Sequence, residues 1–314
     1  MTIGPVDLVY LWCDDTDAAW RAKREATAAR FNVGASGSRN GACRYRGGWL
    51  LARSLRSVER FASWVRSVFV VVDDDQSVPD WPELKSDKVR IIRHSQIIPR
   101  DFLPTFDATV IEHYLARIPG LADRYLIAND DTFFVRPTGP EFFFGADGYP
   151  VFRFGRRRGE TEITGESDYH ATLDNAEAVL GVGRGNYPHH NIDAYCRPDV
   201  VSCFEQYREE IERRNGFPFR DAEKIHRLIY ARYALMIGHG HFRRALFNTA
   251  SLYSFWRRLL PAWADTYQLT SGNWRECSAA IRRFCPYLVC FNDGPRTTDA
   301  DFGWLDGFLK DLGL

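Results

Sequence analysis

Three short apolar segments of this chain end on aspartates, and this pattern constrains its fold more than any other feature. Asp14 and Asp73 follow two of them, and the run at 125–128 leads directly into Asn129-Asp130-Asp131. Short runs of β-branched and aromatic residues predict buried strands. Carboxylates avoid a protein core unless they are paired or bind a cation. We therefore expect a sheet that gathers acidic residues at the ends of its strands.

Segments with helical spacing alternate with the strands, which predicts an α/β layer fold with a parallel or mixed sheet. The predicted strands span 6–12, 68–72, 89–92, 125–128 and 287–291. The predicted helices span 18–30, 49–61, 108–118, 172–180, 198–214, 221–237 and 302–312. Sheets of this kind bind ligands at the carboxyl ends of their strands. The predicted organisation is an α/β core of residues 1–154 and 281–314, with a mainly helical subdomain at 155–280 that completes the active site.

Composition narrows the class of protein. Lys+Arg and Asp+Glu both total 41, so no global basic field favours nucleic acid as a partner. Seven scattered cysteines with no close CxxC pair suggest neither a zinc site nor a disulfide framework, and a reducing cytoplasm fits them. The amino terminus does not resemble a signal peptide, and no apolar run approaches the length of a membrane span. We expect a soluble cytoplasmic protein, able to associate peripherally with the inner face of the plasma membrane.

The acidic triplet Asn129-Asp130-Asp131 has two interpretations. At the end of a buried strand, it suits Mg²⁺ or Mn²⁺, which prefer carboxylate oxygens and substrate phosphates. It also suits a turn with solvated acids, and the same alternative applies to Asn292-Asp293-Gly294. These residues alone leave both possibilities open.

Several motifs occur in a fixed order between residues 6 and 294. They are DLVYLWCDDTD at 7–17, LPTF at 103–106, IE at 111–112, RIPGL at 117–121, NDD at 129–131, PHH at 188–190 and CFND at 290–293. Taken together, they resemble the four conserved regions of the Stealth family of sugar-1-phosphate transferases. That family includes bacterial capsular polysaccharide polymerases and the animal lysosomal-enzyme N-acetylglucosamine-1-phosphotransferase.

The resemblance implies a fold and a reaction. The fold would be a nucleotide-sugar-binding sheet similar to the GT-A type, with flanking helices. The hydroxyl of a polysaccharide or glycan acceptor would attack the sugar-proximal phosphate of a UDP-sugar, so that a sugar-1-phosphate is transferred and UMP leaves. Such chemistry depends mostly on positioning and charge stabilisation. We expect a bacterial-type enzyme of capsule or cell-surface polysaccharide synthesis that uses Mg²⁺ or Mn²⁺.

The resemblance also assigns roles to individual residues. Asp131 and Asp293 are the candidate metal ligands. The candidate catalytic residues are Asp130, Arg220, whose forked donors suit phosphate, and His189 and His190, either of which can be the general base. The candidate substrate-binding residues are Asp14, Asp17, Arg46, Asn129 and Asn292. Asp17 has an alternative role as the cap of the helix that follows it.

The chain departs from the family pattern at three positions. Leu50 and Ala52 stand where the family usually has an acid and a base, and Asp15 stands where it usually has glycine. Three other functions stay open on this basis. A metal-dependent GT-A glycosyltransferase would release UDP, a phosphohydrolase would use water as the acceptor, and a non-catalytic glycan-binding module would release nothing.

Overall fold

The computed structural model describes residues 3–34, 40–159, 168–244, 264–269 and 272–314. The strands are β1 Val6–Leu11, β2 Val68–Val72, β3 Val89–Arg93, β4 Arg124–Asn129, β5 Thr132–Phe134, β6 Val151–Arg157, β7 Asn186–Pro188, β8 Asp193–Cys196, β9 His241–Arg244, β10 Ala264–Gln268 and β11 Leu288–Asn292. The α-helices are α1 Ala18–Arg30, α2 Leu50–Phe61, α3 Ala108–Glu112, α4 Asp168–Val179, α5 Arg197–Gln206, α6 Arg208–Asn215, α7 Leu228–Met236, α8 Trp274–Phe284 and α9 Asp299–Asp311.

A five-stranded sheet of order β3-β2-β1-β4-β8 forms the centre of the fold. Its first four strands are parallel, and β8 runs antiparallel to β4 at one edge. Strands β1 and β2 are buried along their whole length. Parallel strands covered on both faces need apolar side chains on both faces, which explains their nearly continuous apolar sequences. The predicted α/β class is thereby confirmed.

Side chains that alternate along the central strands enter two separate cores. Val9 and Val71 belong to the core that packs under α3, α4, α5 and α7. Tyr10 and Val70 belong to the core on the opposite face, which α2 covers with Leu51 and Leu55. Among the described residues, helices thus cover both faces of the sheet, which leaves the ends of the strands open to a ligand.

Two smaller sheets extend the central one. In the order β10-β11-β5, β10 is parallel to β11 and β11 is antiparallel to β5. Strand β6 pairs with β7 and β9 in the other. Because only Asp130 and Asp131 separate β4 from β5, the acidic turn is the point where the chain leaves the central sheet and enters the second.

The structure differs from the predicted elements where tertiary contacts decide the outcome. The helix predicted at 221–237 begins only at Leu228, because Asp221 accepts the Glu223 N–H in a turn. The helix predicted at 198–214 is divided at Tyr207. The predicted domain division stays a prediction, but β8 and β10, which lie within 155–280, pair with strands of the other segments. No helix in the described ranges is long and apolar enough to cross a membrane.

Candidate active site

Backbone pairing brings together acidic residues that are far apart in the sequence. Strand β5 pairs with β11 so that Thr132 lies opposite Cys290, and the Phe291 N–H donates to the Asp131 carbonyl at 3.0 Å. This pairing sets the turn Asp130-Asp131 beside the end of β11, where Asn292 and Asp293 follow. The two segments predicted to hold a metal therefore converge, and Asn129 and Asn292 lie at the ends of the two strands.

The end of β1 joins the same edge. Leu11 is in register with Asn129, so Cys13 and Asp14 follow β1 where Asp130 follows β4. The segment before α2 packs closely against this end. A Cβ on Gly48 would lie 2.9 Å from the Cys13 carbonyl oxygen and 3.1 Å from the Asp14 Cβ, so only glycine permits the approach. Asp14 itself accepts hydrogen bonds from the N–H and the hydroxyl of Thr16.

The carboxylates at this edge are in an unfavourable environment. Burial raises the pKa of Asp131 to about 7, and the negative charge of Asp293 adds to the shift. Burial and the neighbouring Asp131 also raise the pKa of Asp130 well above its ordinary value. The Asp131 Oδ1 atom is buried and has no hydrogen-bond partner within the described part of the chain. A bound cation would relieve both the repulsion and the missing contact.

Arginines surround the acids. Arg46 donates to both oxygens of Asp293, at 2.5 and 2.8 Å. Burial and the charge of Arg220 lower the pKa of Arg44, and the charges of both arginines act on His190. The Arg220 Nε atom is buried without a hydrogen-bond partner in the ranges that the structure describes. The site thus pairs an acidic cluster with cations suited to phosphate oxygens.

The structure distinguishes the two candidate histidines. His190 has a ring nitrogen that lies with an Asp131 oxygen and the Cys290 sulfur in a group of atoms within 4.8 Å of one another. Its pKa is lowered to about 4 by burial and by the charges of Arg227, Arg220 and Arg44. His189 is buried, and its backbone N–H donates to the Arg153 carbonyl. Of the two, His190 is the one placed against the acids.

The donor set fits an oxygen-preferring divalent cation better than a soft metal. Asp131 offers an unpartnered carboxylate oxygen. Asp130 and Asp293 lie near it and bring further negative charge to the site. The Cys290 thiol is buried, and burial together with the charge of Asp131 raises its pKa well above the ordinary value. It is therefore a protonated neighbour rather than a thiolate ligand. Carboxylates with an imidazole nearby match the ligands that Mg²⁺ or Mn²⁺ takes.

A cleft lies beside His190, which forms part of its lining. Strand β6, strand β8 and the residues before α7 form its walls, which include Phe152, Tyr169, Asp193, His226 and Arg227. Arg227 crosses the wall as a buried ion pair, donating to Glu112 and, at 2.9 Å, to Asp193 Oδ2. His190 belongs both to the acidic cluster and to the cleft.

Asp17 has a different position from the other predicted site residues. Its Oδ1 accepts the N–H groups of Ala19 and Trp20, and its Oδ2 accepts the N–H of Ser77 at 2.7 Å. These bonds lower its pKa to about 2, with Ser77 as the largest cause. Oδ1 caps α1 and Oδ2 accepts the Ser77 N–H, so both carboxylate oxygens of Asp17 have partners within the protein, and the alternative role as a helix cap is present.

Sequence reasoning gave no individual role to Arg44, Cys290 or Asp193, and the family resemblance made His226 only a weaker candidate for the general base. Arg44 and Cys290 lie inside segments that carried the family resemblance, and that was the only available signal. Asp193 and His226 reach the site through β8 pairing with β4 and through the turn before α7. No local pattern marks either of them.

Comparison with known proteins gives a match to a family model. The model for Stealth protein CR2, conserved region 2, matches residues 44–152. This range contains Arg44, Arg46, the motifs LPTF and RIPGL, and the acidic turn.

Curated relatives share part of the chain. An exopolysaccharide phosphotransferase of Streptomyces coelicolor is 33% identical over 228 residues, which is 70% of this chain and 24% of the relative. Another, from Lactiplantibacillus plantarum, is 36% identical over 151 residues, 48% of this chain and 42% of the relative. The chain thus spans about a quarter to half of the length of these relatives.

Among solved structures, the galactosyltransferase LgtC is similar with a TM-score of 0.45 and 12% identity, over 98% of this chain and 94% of that one. At that level the likeness carries no argument about activity. The match to conserved region 2, which includes the acidic turn, and the polysaccharide phosphotransferases among the relatives together show that this chain belongs to the Stealth family.

Proposed function

We propose that this chain transfers a sugar-1-phosphate from a UDP-sugar to the hydroxyl of a polysaccharide or glycan, releasing UMP, in the synthesis of a cell-surface polysaccharide. The convergence of Asp130, Asp131 and Asp293 with Arg220 and His190 at one sheet edge carries this proposal. The printed names of the relatives, exopolysaccharide and capsular polysaccharide phosphotransferases, support the reaction class. The seven free cysteines support a reducing compartment such as the cytoplasm.

In the proposed reaction, Mg²⁺ or Mn²⁺ would be held by Asp131 with Asp130 and Asp293 and would supply positive charge to the pyrophosphate. Asn129 and Asn292, at the neighbouring strand ends, would orient those carboxylates. Arg220 and Arg44 would bind phosphate oxygens through their guanidinium groups. Asp14 stands at the adjacent strand end, where it would contact the nucleotide or the donor sugar.

His190 would remove the proton of the attacking hydroxyl at its free ring nitrogen. Burial, together with the charges of three arginines, lowers its pKa to about 4, so the ring is neutral and able to accept a proton at neutral pH. A bound pyrophosphate would neutralise two of these charges, those of Arg220 and Arg44. The proton affinity of His190 would then rise when the donor is in place, which is the moment when the base is required.

The nature of the leaving group tests the proposal. A panel of UDP-sugars is incubated with the protein and glycan acceptors, with and without EDTA, and the nucleotide product is identified. UMP that appears only with divalent cation supports sugar-1-phosphate transfer. Release of UDP would indicate a glycosyltransferase. Release of UMP and free sugar phosphate without consumption of the acceptor would indicate a phosphohydrolase. The absence of any product would indicate a binding module.

Matched variants connect the product to the site. Asp131→Ala and Asp293→Ala should abolish UMP release while the proteins stay folded. Asp80→Ala serves as the control, because that aspartate is 87% exposed and pairs only with Lys85. Unchanged UMP release in both site variants would remove the proposed metal site.

A further inference from the structure

The cleft beside His190 contains a histidine whose tautomer is fixed by the backbone. The Leu228 N–H donates to His226 Nδ1 at 3.0 Å. A backbone N–H can only donate, so Nδ1 must be the unprotonated nitrogen of the ring. Burial keeps this ring neutral, because it lowers the pKa of His226 well below the ordinary value. The proton of the neutral ring is therefore on Nε2, which makes no hydrogen bond to any residue in the described ranges.

The opposite wall of the cleft offers an acceptor. Asp193 uses Oδ2 for Arg227, and its Oδ1 has no hydrogen-bond partner among the residues that the structure describes. The Tyr169 ring, 39% exposed, stands edge-on to the His226 ring at 5.5 Å between centroids. The cleft thus presents one N–H donor, one carboxylate oxygen and an aromatic ring, a combination that suits the hydroxyls and the apolar face of a sugar.

The charges of the cleft favour a neutral ligand over a phosphate. Arg227 is neutralised by Glu112 and Asp193. Arg153 donates to the Phe142 carbonyl, and its guanidinium lies 3.8 Å from the centre of the Phe142 ring. The free oxygen of Asp193 would repel an anion.

We propose that this cleft binds the neutral sugar ring of the acceptor, with His226 donating from Nε2 to a ring hydroxyl and Asp193 accepting from another. This inference rests on the proposed function. It follows from the position of His190, which has a ring nitrogen within 4.8 Å of an Asp131 oxygen and also lines the cleft. The pyrophosphate would lie with the acids and arginines, so the group bound in the cleft beside the base would be the one that loses its proton. His226 is thus a hydrogen-bond donor to the acceptor and not a second base.

Two substitutions at position 226 separate ligand binding from a structural role. In His226→Gln, the side-chain NH₂ replaces Nε2 and can still donate into the cleft. In His226→Asn, the shorter amide can still accept the Leu228 N–H with its oxygen but does not reach the cleft. If His226 only anchors the start of α7, His226→Asn is the tolerated change. If it binds the acceptor, His226→Gln is the tolerated change.

The assay uses a UDP-sugar, Mg²⁺ and a panel of methyl hexopyranosides as acceptors, and follows UMP release. Wild type should be stimulated saturably by at least one glycoside. For that glycoside, His226→Asn should raise the acceptor KM about tenfold, as expected for one lost hydrogen bond, and His226→Gln should stay within about threefold of wild type. The donor KM should change less than about twofold in both variants, because the donor pyrophosphate is bound by the acids and arginines and not by His226.

Several results would overturn the inference. The first two are an unchanged acceptor KM in His226→Asn and an acceptor KM that rises more in His226→Gln than in His226→Asn. The others are a donor KM that rises together with the acceptor KM, and a wild type that hydrolyses the donor but is stimulated by no glycoside. Failure of the proposed function would look different, because wild type would then release no UMP from any UDP-sugar. Thermal unfolding of each variant confirms that the fold is retained.

Discussion

Arg46 donates its Nε to Asp293 Oδ2 at 2.5 Å and its Nη2 to Oδ1 at 2.8 Å, joining two residues that stand 247 positions apart. The same Nη2 also donates to the carbonyls of Gly294 and Thr297, at 3.0 and 2.9 Å. Two residues predicted separately, one for substrate and one for metal, are thus partners of each other. In the absence of a cation, Arg46 balances the charge of Asp293 and holds the turn after β11.

Arg46→Ala should lower the free energy of unfolding in EDTA by about 1–3 kcal/mol, the range for hydrogen bonds to a charged group. Because the variant frees the oxygens of Asp293, Mg²⁺ should restore part of this loss. Urea unfolding with and without Mg²⁺ measures both effects. Arg56→Ala is the control, since Arg56 pairs with Glu83 while 45% exposed and should cost less than about 1 kcal/mol with no response to Mg²⁺. Equal effects in the two variants would contradict the role of the Arg46 pair.

Asp131→Asn should abolish UMP release and stabilise the cation-free protein. Burial raises the pKa of Asp131 from 3.8 to about 7, so the folded protein holds this proton more tightly than the unfolded chain. The stability that this group contributes is complete below pH 3.8 and is lost as the pH rises through 7. The amide of Asp131→Asn does not ionise, so the variant does not lose this stability as the pH rises.

Urea unfolding in EDTA at about pH 5 and about pH 8 tests the sign, since the stability gain of the variant should be larger at the higher pH. A variant that is less stable than wild type at both values would show that the Asp131 carboxylate is not strained in the fold.

Local patterns in the sequence are sufficient to predict the strands of the central sheet and the polar residues at individual strand ends. They do not predict which strand ends lie next to each other in the fold. The bounds of α1 and β2 agree with the pattern of capping and apolar residues alone. The convergence of Asp131 with Asp293 requires the pairing of β5 with β11, and β5 is only three residues long. Strand β8 begins on Asp193, a charged residue that is stable there only because Arg227 is bound to it. Contacts between distant segments decide such elements, and no short window contains them.

Buried neutral histidines should make the protein sensitive to acid. His113 has Nδ1 at 2.7 Å from the Tyr230 hydroxyl and Nε2 at 2.8 Å from the Ile225 carbonyl, and burial lowers its pKa to about 4. Between about pH 6.5 and about pH 4, the unfolded chain binds a proton that the folded protein excludes. Stability should therefore be complete above pH 6.5 and fall by about 1.4 kcal/mol per pH unit for this group as the pH decreases.

Replacing His113 by Gln should lower the free energy of unfolding. It should also make that free energy fall less steeply as the pH decreases, by the amount that corresponds to the binding of about one proton. Urea unfolding across the same pH range measures the slope. His239→Gln is the control, because His239 is 39% exposed. A slope that is equally steep in His113→Gln and in wild type would show that His113 does not exclude a proton in the fold.

Ser54 connects the core to the acidic turn, and its removal should affect both stability and activity. Its hydroxyl donates to the Thr132 carbonyl at 2.5 Å and lies 2.6 Å from the Tyr10 hydroxyl, in a fully buried position. Ser54→Ala leaves two buried polar groups without a partner, which should cost about 1–3 kcal/mol of unfolding free energy. Thr132 directly follows Asp131, so the loosened carbonyl should also reduce UMP release.

The double variant Ser54→Ala with Tyr10→Phe tests whether the cost comes from unpaired groups. Since Tyr10→Phe removes the hydroxyl that Ser54→Ala leaves unsatisfied, the double variant should be less destabilised than the sum of the two single variants. Ser278→Ala is the control, because the Ser278 hydroxyl bonds only the Trp274 carbonyl within α8, outside the acidic turn. Its UMP release should match wild type. A different outcome is that the unfolding free energies lost in the two single variants add up to the loss in the double variant. Tyr10 and Ser54 would then stabilise the fold independently, and their hydroxyl contact would not hold β5 and the acidic turn against α2.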